Sequence, residues 1–125
     1  MKGSGCILAH CMGLGKTLQI IGLIHTLLSN RERTKCNKIL ILLPKNVLTN
    51  WKDEIEKWTE KCKFKIPVYQ LKDDGSDLSK EKYKQRLNTI EEWFNDHGVF
   101  LLSYHMYKFL VTGKYNWINF YKKKY

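Results

Sequence analysis

Gly13, Gly15, Lys16 and Thr17 stand together in the run Ala9-His10-Cys11-Met12-Gly13-Leu14-Gly15-Lys16-Thr17. These residue types at this spacing fit one chemistry, the cradling of a phosphate chain. Glycines let the main chain come close to an anion, and the N–H groups of the turn and of the next helix point at negative charge. Lys16 adds a mobile cation for outer phosphates, and Thr17 offers a hydroxyl to a magnesium ion. The run His10 to Thr17 is therefore expected to hold a nucleoside triphosphate, with Lys16 and Thr17 closest to the chemistry. The general motif has a glycine five residues before Gly15, where this chain has His10. The bland alternative is a tight loop that happens to spell Gly-Leu-Gly-Lys-Thr.

A phosphate loop needs a strand before it and a helix after it. The apolar run within Gly5 to Ala9 predicts the strand, and the pattern from Lys16 to Ser29 predicts the helix. Leu18, Ile20, Ile21, Leu23, Ile24, Leu27 and Leu28 nearly encircle that helix, which predicts burial against a sheet. Residues 30–37 read as a surface loop. Ile39-Leu40-Ile41-Leu42-Leu43 is apolar without alternation, the pattern of a parallel strand buried on both faces, and Pro44 ends it. Asn46 is the expected N-cap of a helix whose apolar face carries Val47, Leu48, Trp51, Ile55, Trp58 and Cys62.

Residues 65–71 predict a third strand, and residues 72–79 a turn-rich linker around Asp74-Gly75. Tyr83, Leu87, Ile90 and Phe94 mark another amphipathic helix, with Trp93 beside its face. Val99 to Leu102 predicts a buried strand closed by Ser103-Tyr104, with a short helix from His105 to Val111. Strands alternating with helices imply an α/β fold with an open, mostly parallel sheet. Ligands of such sheets bind where strands end. The loops at 9–16, 44–46 and 103–105 are expected to share that rim.

Twenty-two Lys and Arg against twelve Asp and Glu make the 125-residue chain basic, at +10. That balance favours a polyanionic partner, nucleic acid first, or else a solvated lysine-rich surface. Cys6, Cys11, Cys36 and Cys62 form no Cys-x-x-Cys pair, so neither a zinc site nor a disulfide framework is expected. Lys2 and the apolar run after it mimic a secretion signal, but Lys16 interrupts the run and no cleavage site follows. The Leu18 to Leu28 stretch is too short to span a bilayer. No membrane partner is expected. His25 reads as a core or boundary residue, and Trp51, Trp58 and Trp93 read as packing residues.

Together these residues resemble a known family. The stretch Gly5 to Gln19 is similar to the first motif of SWI/SNF-type chromatin-remodelling ATPases, in the second helicase superfamily, and its Leu-Ala-His-Cys-Met-Gly-Leu-Gly-Lys-Thr form resembles the ATRX-like branch. Leu42-Leu43-Pro44 followed by Asn50-Trp51, Glu54 and Lys57-Trp58 is similar to the family's next block. Val99 to Tyr104 with His105-Met106-Tyr107 is similar to its Ser/Thr-Tyr-Glu-Met-Tyr strand end. The resemblance covers about Gly3 to Gly113. It implies part of the first of two RecA-like lobes in residues 1–113, followed by a divergent basic and aromatic tail in 114–125.

The resemblance further implies ATP and Mg2+ as cofactors, double-stranded DNA and nucleosomes as partners of the intact parent, and the nucleus as location. In the family, ATP cycling closes and opens the lobes and moves the motor along duplex DNA. Lys45, Asn46, Asn50 and Tyr104 would then lie near the DNA backbone. The family's Asp-Glu-Gly-His motif does not occur, and Asp53-Glu54-Ile55-Glu56 belongs to an amphipathic helix instead. The second lobe and its arginine finger are also missing from these residues, so the 125 residues alone are expected to bind ATP weakly and to hydrolyse it negligibly. Two other readings remain open: a small P-loop phosphotransferase, which the three arginines Arg31, Arg33 and Arg86 serve poorly, and a non-enzymatic nucleotide- or DNA-binding fragment.

Overall fold

The computed structural model describes residues 4–71 and 80–112. The 72–79 linker and the 114–125 tail lie outside them. Helix α1 runs Lys16–Ser29, with ends where the apolar pattern placed them, and α2 is one turn, Arg31–Thr34, inside the expected loop. Strand β1 spans Lys38–Leu43. Pro44 ends it, because proline has no N–H for the ladder. A single 3-10 turn, Lys45–Val47, leads into α3, Leu48–Thr59. Strand β2 is short, Val68–Gln70. Helix α4 covers Lys80–Asn95, β3 Gly98–Ser103 and α5 Tyr104–Val111.

The three strands form one parallel sheet in the order β1-β3-β2. All six residues of β3 are buried. Its position between two partners explains the unbroken apolar run, since both ladders and both faces are covered. On one face Val99 and Leu101 join Ile21, Ile24 and Leu28 of α1, Leu43 of β1, and Leu48 and Ile55 of α3. On the other, Phe100 and Leu102 join Leu71 and Met106, with Ile90, Trp93, Phe109 and Leu110 packed around them. Successive β3 side chains thus serve opposite layers, as the pleat requires.

Several expectations are corrected. Gly5 to Ala9 forms no strand: Ile7 is 92% exposed and no described ladder includes the run. The outer edges of β1 and β2 carry no strand among the described residues, yet the run pairs with neither, so apolar composition does not by itself secure a ladder. Strand β1 has β3 on one side alone among the described residues, so its Leu40 is 44% exposed rather than buried on both faces. Helix α1 buries one stripe, Ile21, Ile24 and Leu28, and leaves Leu18 and Leu23 exposed, because its main helical neighbour is α3.

Asn46 caps nothing. It lies inside the 3-10 turn, and the residue before α3 is Val47, with no side-chain cap. On α3 the buried stripe is Leu48, Ile55 and Thr59. Thr59 hides its hydroxyl by donating to the Ile55 carbonyl at 2.8 Å. Trp58 is exposed instead, its indole N–H donating to Glu54 at 2.7 Å and its ring under the Lys57 ammonium. Phe94 is likewise exposed on α4. Trp51 and Trp93 do pack: Trp93 lies 5.1 Å from the Phe100 ring and donates to the Gly98 carbonyl at 3.1 Å.

Candidate phosphate-binding loop and sheet rim

The loop before α1 is shaped by two glycines at positive φ, Gly13 at 84° and Gly15 at 73°. A side chain is strained in that region, which is why glycine stands at both turning points. Gly15 is the residue before α1, and no side chain caps the helix there. The amide of Gln19 closes the first helical bond onto the Gly15 carbonyl at 3.0 Å. The earlier first-turn amides are the groups an α-helix leaves unpaired and that favour an anion.

Lys16 is held rather than free. Its ammonium donates to the carbonyls of His10 at 2.8 Å and Cys11 at 2.7 Å. These two residues therefore act through main-chain oxygens, while their side chains, with those of Met12 and Leu14, are exposed. The ammonium is thereby tied back to the main chain of the loop. Gln19 is a positioning residue that motif spacing did not single out: its side-chain amide donates to the Leu14 carbonyl at 3.2 Å. A long polar side chain one turn into the helix is the signal that would have found it.

Positive-φ glycines, an uncapped helix start and a lysine ammonium thus stand within residues 10–17, groups that a polyphosphate could use. The fit to a metal is partial. Thr17, half-buried, brings one hydroxyl, and the described residues hold no cluster of three His, Cys, Asp or Glu side chains. Magnesium commonly takes its remaining ligands from phosphate oxygens and water. The four cysteines are free, and among the described residues no helix is long and apolar enough to cross a membrane.

Parallel register places Leu43 opposite Ser103, so the 44–46 and 103–105 connections leave the sheet side by side. Ser103 caps α5 by accepting the Met106 amide at 3.0 Å, which aims Tyr104 outward, 57% exposed. Lys45, Asn46 and Asn50 are exposed at the start of the neighbouring turn and helix. The structure thus brings Lys45, Asn46 and Tyr104 to one rim. The 9–16 loop precedes α1, whose buried stripe shares its core with Leu43 and Leu48. His25 is a boundary residue, its Nε2 donating to the Phe64 carbonyl at 3.1 Å.

The parallel sheet with its flanking helices defines an α/β lobe, and direct comparison supplies its family. Residues 1–124 match the SNF2-related domain, and the chain belongs to that family as part of a RecA-like lobe. It is 46% identical over 114 residues to the transcriptional regulator ATRX homolog of Drosophila melanogaster, covering 90% of this chain and 8% of that protein. It is 41% identical over 114 residues to the transcriptional regulator ATRX of Homo sapiens, covering 90% and 4%. Against protein CHROMATIN REMODELING 20 of Arabidopsis thaliana the identity is 37% over 113 residues, covering 90% and 7%. The chain spans less than a tenth of the length of each of these relatives.

Proposed function

We propose that this chain is the ATP-binding portion of a DNA-dependent ATPase that translocates on duplex DNA and remodels chromatin in the nucleus. The observation that carries the reading is the Lys16 ammonium, tied to the carbonyls of His10 and Cys11, on the first residue of the uncapped α1. In this reading His10 to Thr17 wrap the triphosphate, Lys16 shifts from its two carbonyls toward the outer phosphates, and Thr17 faces Mg2+. Bound Mg2+ would supply charge neutralisation at the phosphates. Lys45, Asn46, Asn50 and Tyr104 meet DNA phosphates at the strand-end rim, contacts that position the lobe and carry no base information.

The 125 residues hold no Asp-Glu-Gly-His strand and no arginine finger, so on their own they bind ATP weakly and turn it over negligibly. An arginine finger alone is worth about 10³–10⁵ in rate. The test is calorimetric titration with Mg-ATP beside a steady-state ATPase assay with duplex DNA. Heat of binding that Lys16→Ala abolishes, with turnover at background, is the expected result. Robust DNA-stimulated turnover lost in Lys16→Ala would refute the inactivity of these residues. Absence of binding by well-folded chain would refute the nucleotide site. For the rim, Lys45→Ala should lower the slope of log affinity for DNA against log salt by about one.

A further inference from the structure

Gln19 binds two consecutive carbonyls of the loop before α1. Its main-chain amide donates to Gly15 at 3.0 Å, and its side-chain amide donates to Leu14 at 3.2 Å. Helix side chains lean toward the helix N-terminus. From the first turn of α1, Gln19 therefore reaches back over that turn to the loop. Leucine here would have the length without the donor, and asparagine the donor with one methylene less.

In a trans peptide the N–H points opposite to the C=O of the same unit, and the described residues contain no cis bond. The Leu14 carbonyl shares its unit with the Gly15 amide, and the Gly15 carbonyl shares its unit with the Lys16 amide. Both oxygens are bonded to residue 19, so the Gly15 and Lys16 N–H groups are turned away from it. Gly15 is left-handed, at φ 73° and ψ 26°, and Lys16 begins a right-handed helix. Adjoining residues of opposite hand direct successive N–H groups into one concavity, which receives anions. Among the described residues neither amide has a protein acceptor. Donation to the Leu14 oxygen also polarises that peptide unit, which strengthens the Gly15 N–H as a donor.

Lys16 ties the other end of the loop. Its bonds to the His10 and Cys11 carbonyls turn the Cys11 and Met12 N–H groups away from the ammonium by the same geometry. The two ties respond differently to a nucleotide. When Lys16 shifts toward the phosphates, its bonds to His10 and Cys11 are given up. The bonds from Gln19 lie on the opposite side of their peptide units from the N–H groups. An anion that meets those N–H groups leaves the Gln19 bonds in place.

We propose that Gln19 is a positioning residue for the nucleotide. Acting through the Leu14 carbonyl, it orients the Gly15 amide toward the phosphates, beside the Lys16 amide that its own main chain orients, and it keeps that bend after Lys16 has moved. This role rests on the reading of residues 10–17 as a triphosphate loop and adds a residue outside them.

The experiment is an amide-shift titration of the full chain with Mg-ATP and with Mg-ADP, on the unmodified chain and on Gln19→Leu and Gln19→Lys. Gln19→Leu removes the donor at similar length. It should weaken both nucleotides about three- to tenfold, the worth of one hydrogen bond, with an unchanged urea midpoint. Without nucleotide, its shift changes should centre on residues 14–16. Gln19→Lys restores a donor of similar reach, and should return both the Gly15 amide shift and the affinity. Nucleotide binding by the unmodified chain with full affinity in Gln19→Leu would overturn the role of Gln19 alone. A lowered urea midpoint in Gln19→Leu with shifts spread along α1 would assign Gln19 to helix stability instead. Affinity regained in Gln19→Lys without the Gly15 shift would be charge attraction and would also count against the role. No binding by the unmodified, well-folded chain would overturn the nucleotide reading, and the role of Gln19 with it.

Discussion

Gly5 to Ala9 and Gly98 to Ser103 are both short apolar runs beginning at glycine, yet they meet opposite fates. The second is the central strand, buried at every residue; the first is exposed at every residue and belongs to no ladder. Apolar composition is common to both, so composition does not separate them. Partners do. Strand β3 has β1 on one edge, β2 on the other, and a core layer on each face. Hydrophobicity makes burial favourable, but a strand exists only where its main-chain groups find a ladder.

The contrast can be broken most forcefully at Leu101, fully buried in the centre of β3. Leu101→Ala should cost about 2–5 kcal/mol, measured by urea denaturation, because the cavity adds to the lost transfer energy. An effect below that range would mean that the centre of the sheet collapses around the gap. Next comes Gly98, with φ at 130° and the Pro67 carbonyl 2.4 Å from where a β-carbon would stand. Gly98→Ala should destabilise by about 1–3 kcal/mol from backbone strain, with the Pro67 contact adding to it. By contrast, Ile7→Ala should change stability by less than about 0.5 kcal/mol, the range for exposed positions. A larger loss would show that the segment packs in solution.

The smallest expected effect is a pH dependence at the Tyr69–Asp96 pair, which joins β2 to the end of α4. The Tyr69 hydroxyl bond, followed by bonds from the His97 main chain and ring, holds the Asp96 carboxyl below its ordinary range. Partial burial first, and then the hydrogen bond to Asp96, raises the Tyr69 hydroxyl above 10.0. A depressed carboxyl contributes stability above its unfolded value and loses it as pH falls through the folded one. A raised phenol contributes stability below its unfolded value and loses it as pH rises through the folded one. Stability should therefore show shallow declines below the usual aspartate range and above pH 10.0, with a plateau between. Tyr69→Phe should remove the alkaline decline and reduce the acidic one in urea midpoints taken across pH.

Local signals suffice where a residue acts by itself or with chain neighbours. The bounds of α1, the stop at Pro44, the run that became β3 and the glycines of the loop before α1 all follow from side-chain sterics and short-range periodicity. The candidate loop shares this: glycine stands at the two positions, 13 and 15, where the backbone takes positive φ. Less legible was how the loop uses its lysine. Lys16 is captive to the carbonyls of His10 and Cys11, and main-chain oxygens leave no mark on residue type. Trp58 and Asn46 depart from the helical pattern because periodicity does not report which stripe meets a neighbour, or that a 3-10 turn comes first.

What the order of residues determined unaided was an alternation of helices and strands, a phosphate-type bend and a strongly basic balance, since each depends on local stereochemistry or on simple counting. Only the tertiary structure decided that β3 stands between β1 and β2, that the 44–46 and 103–105 connections emerge together, and that Gly5 to Ala9 stays outside the sheet. Those outcomes depend on which distant segments compete for the same ladder and the same core, a competition settled by the folded chain as a whole.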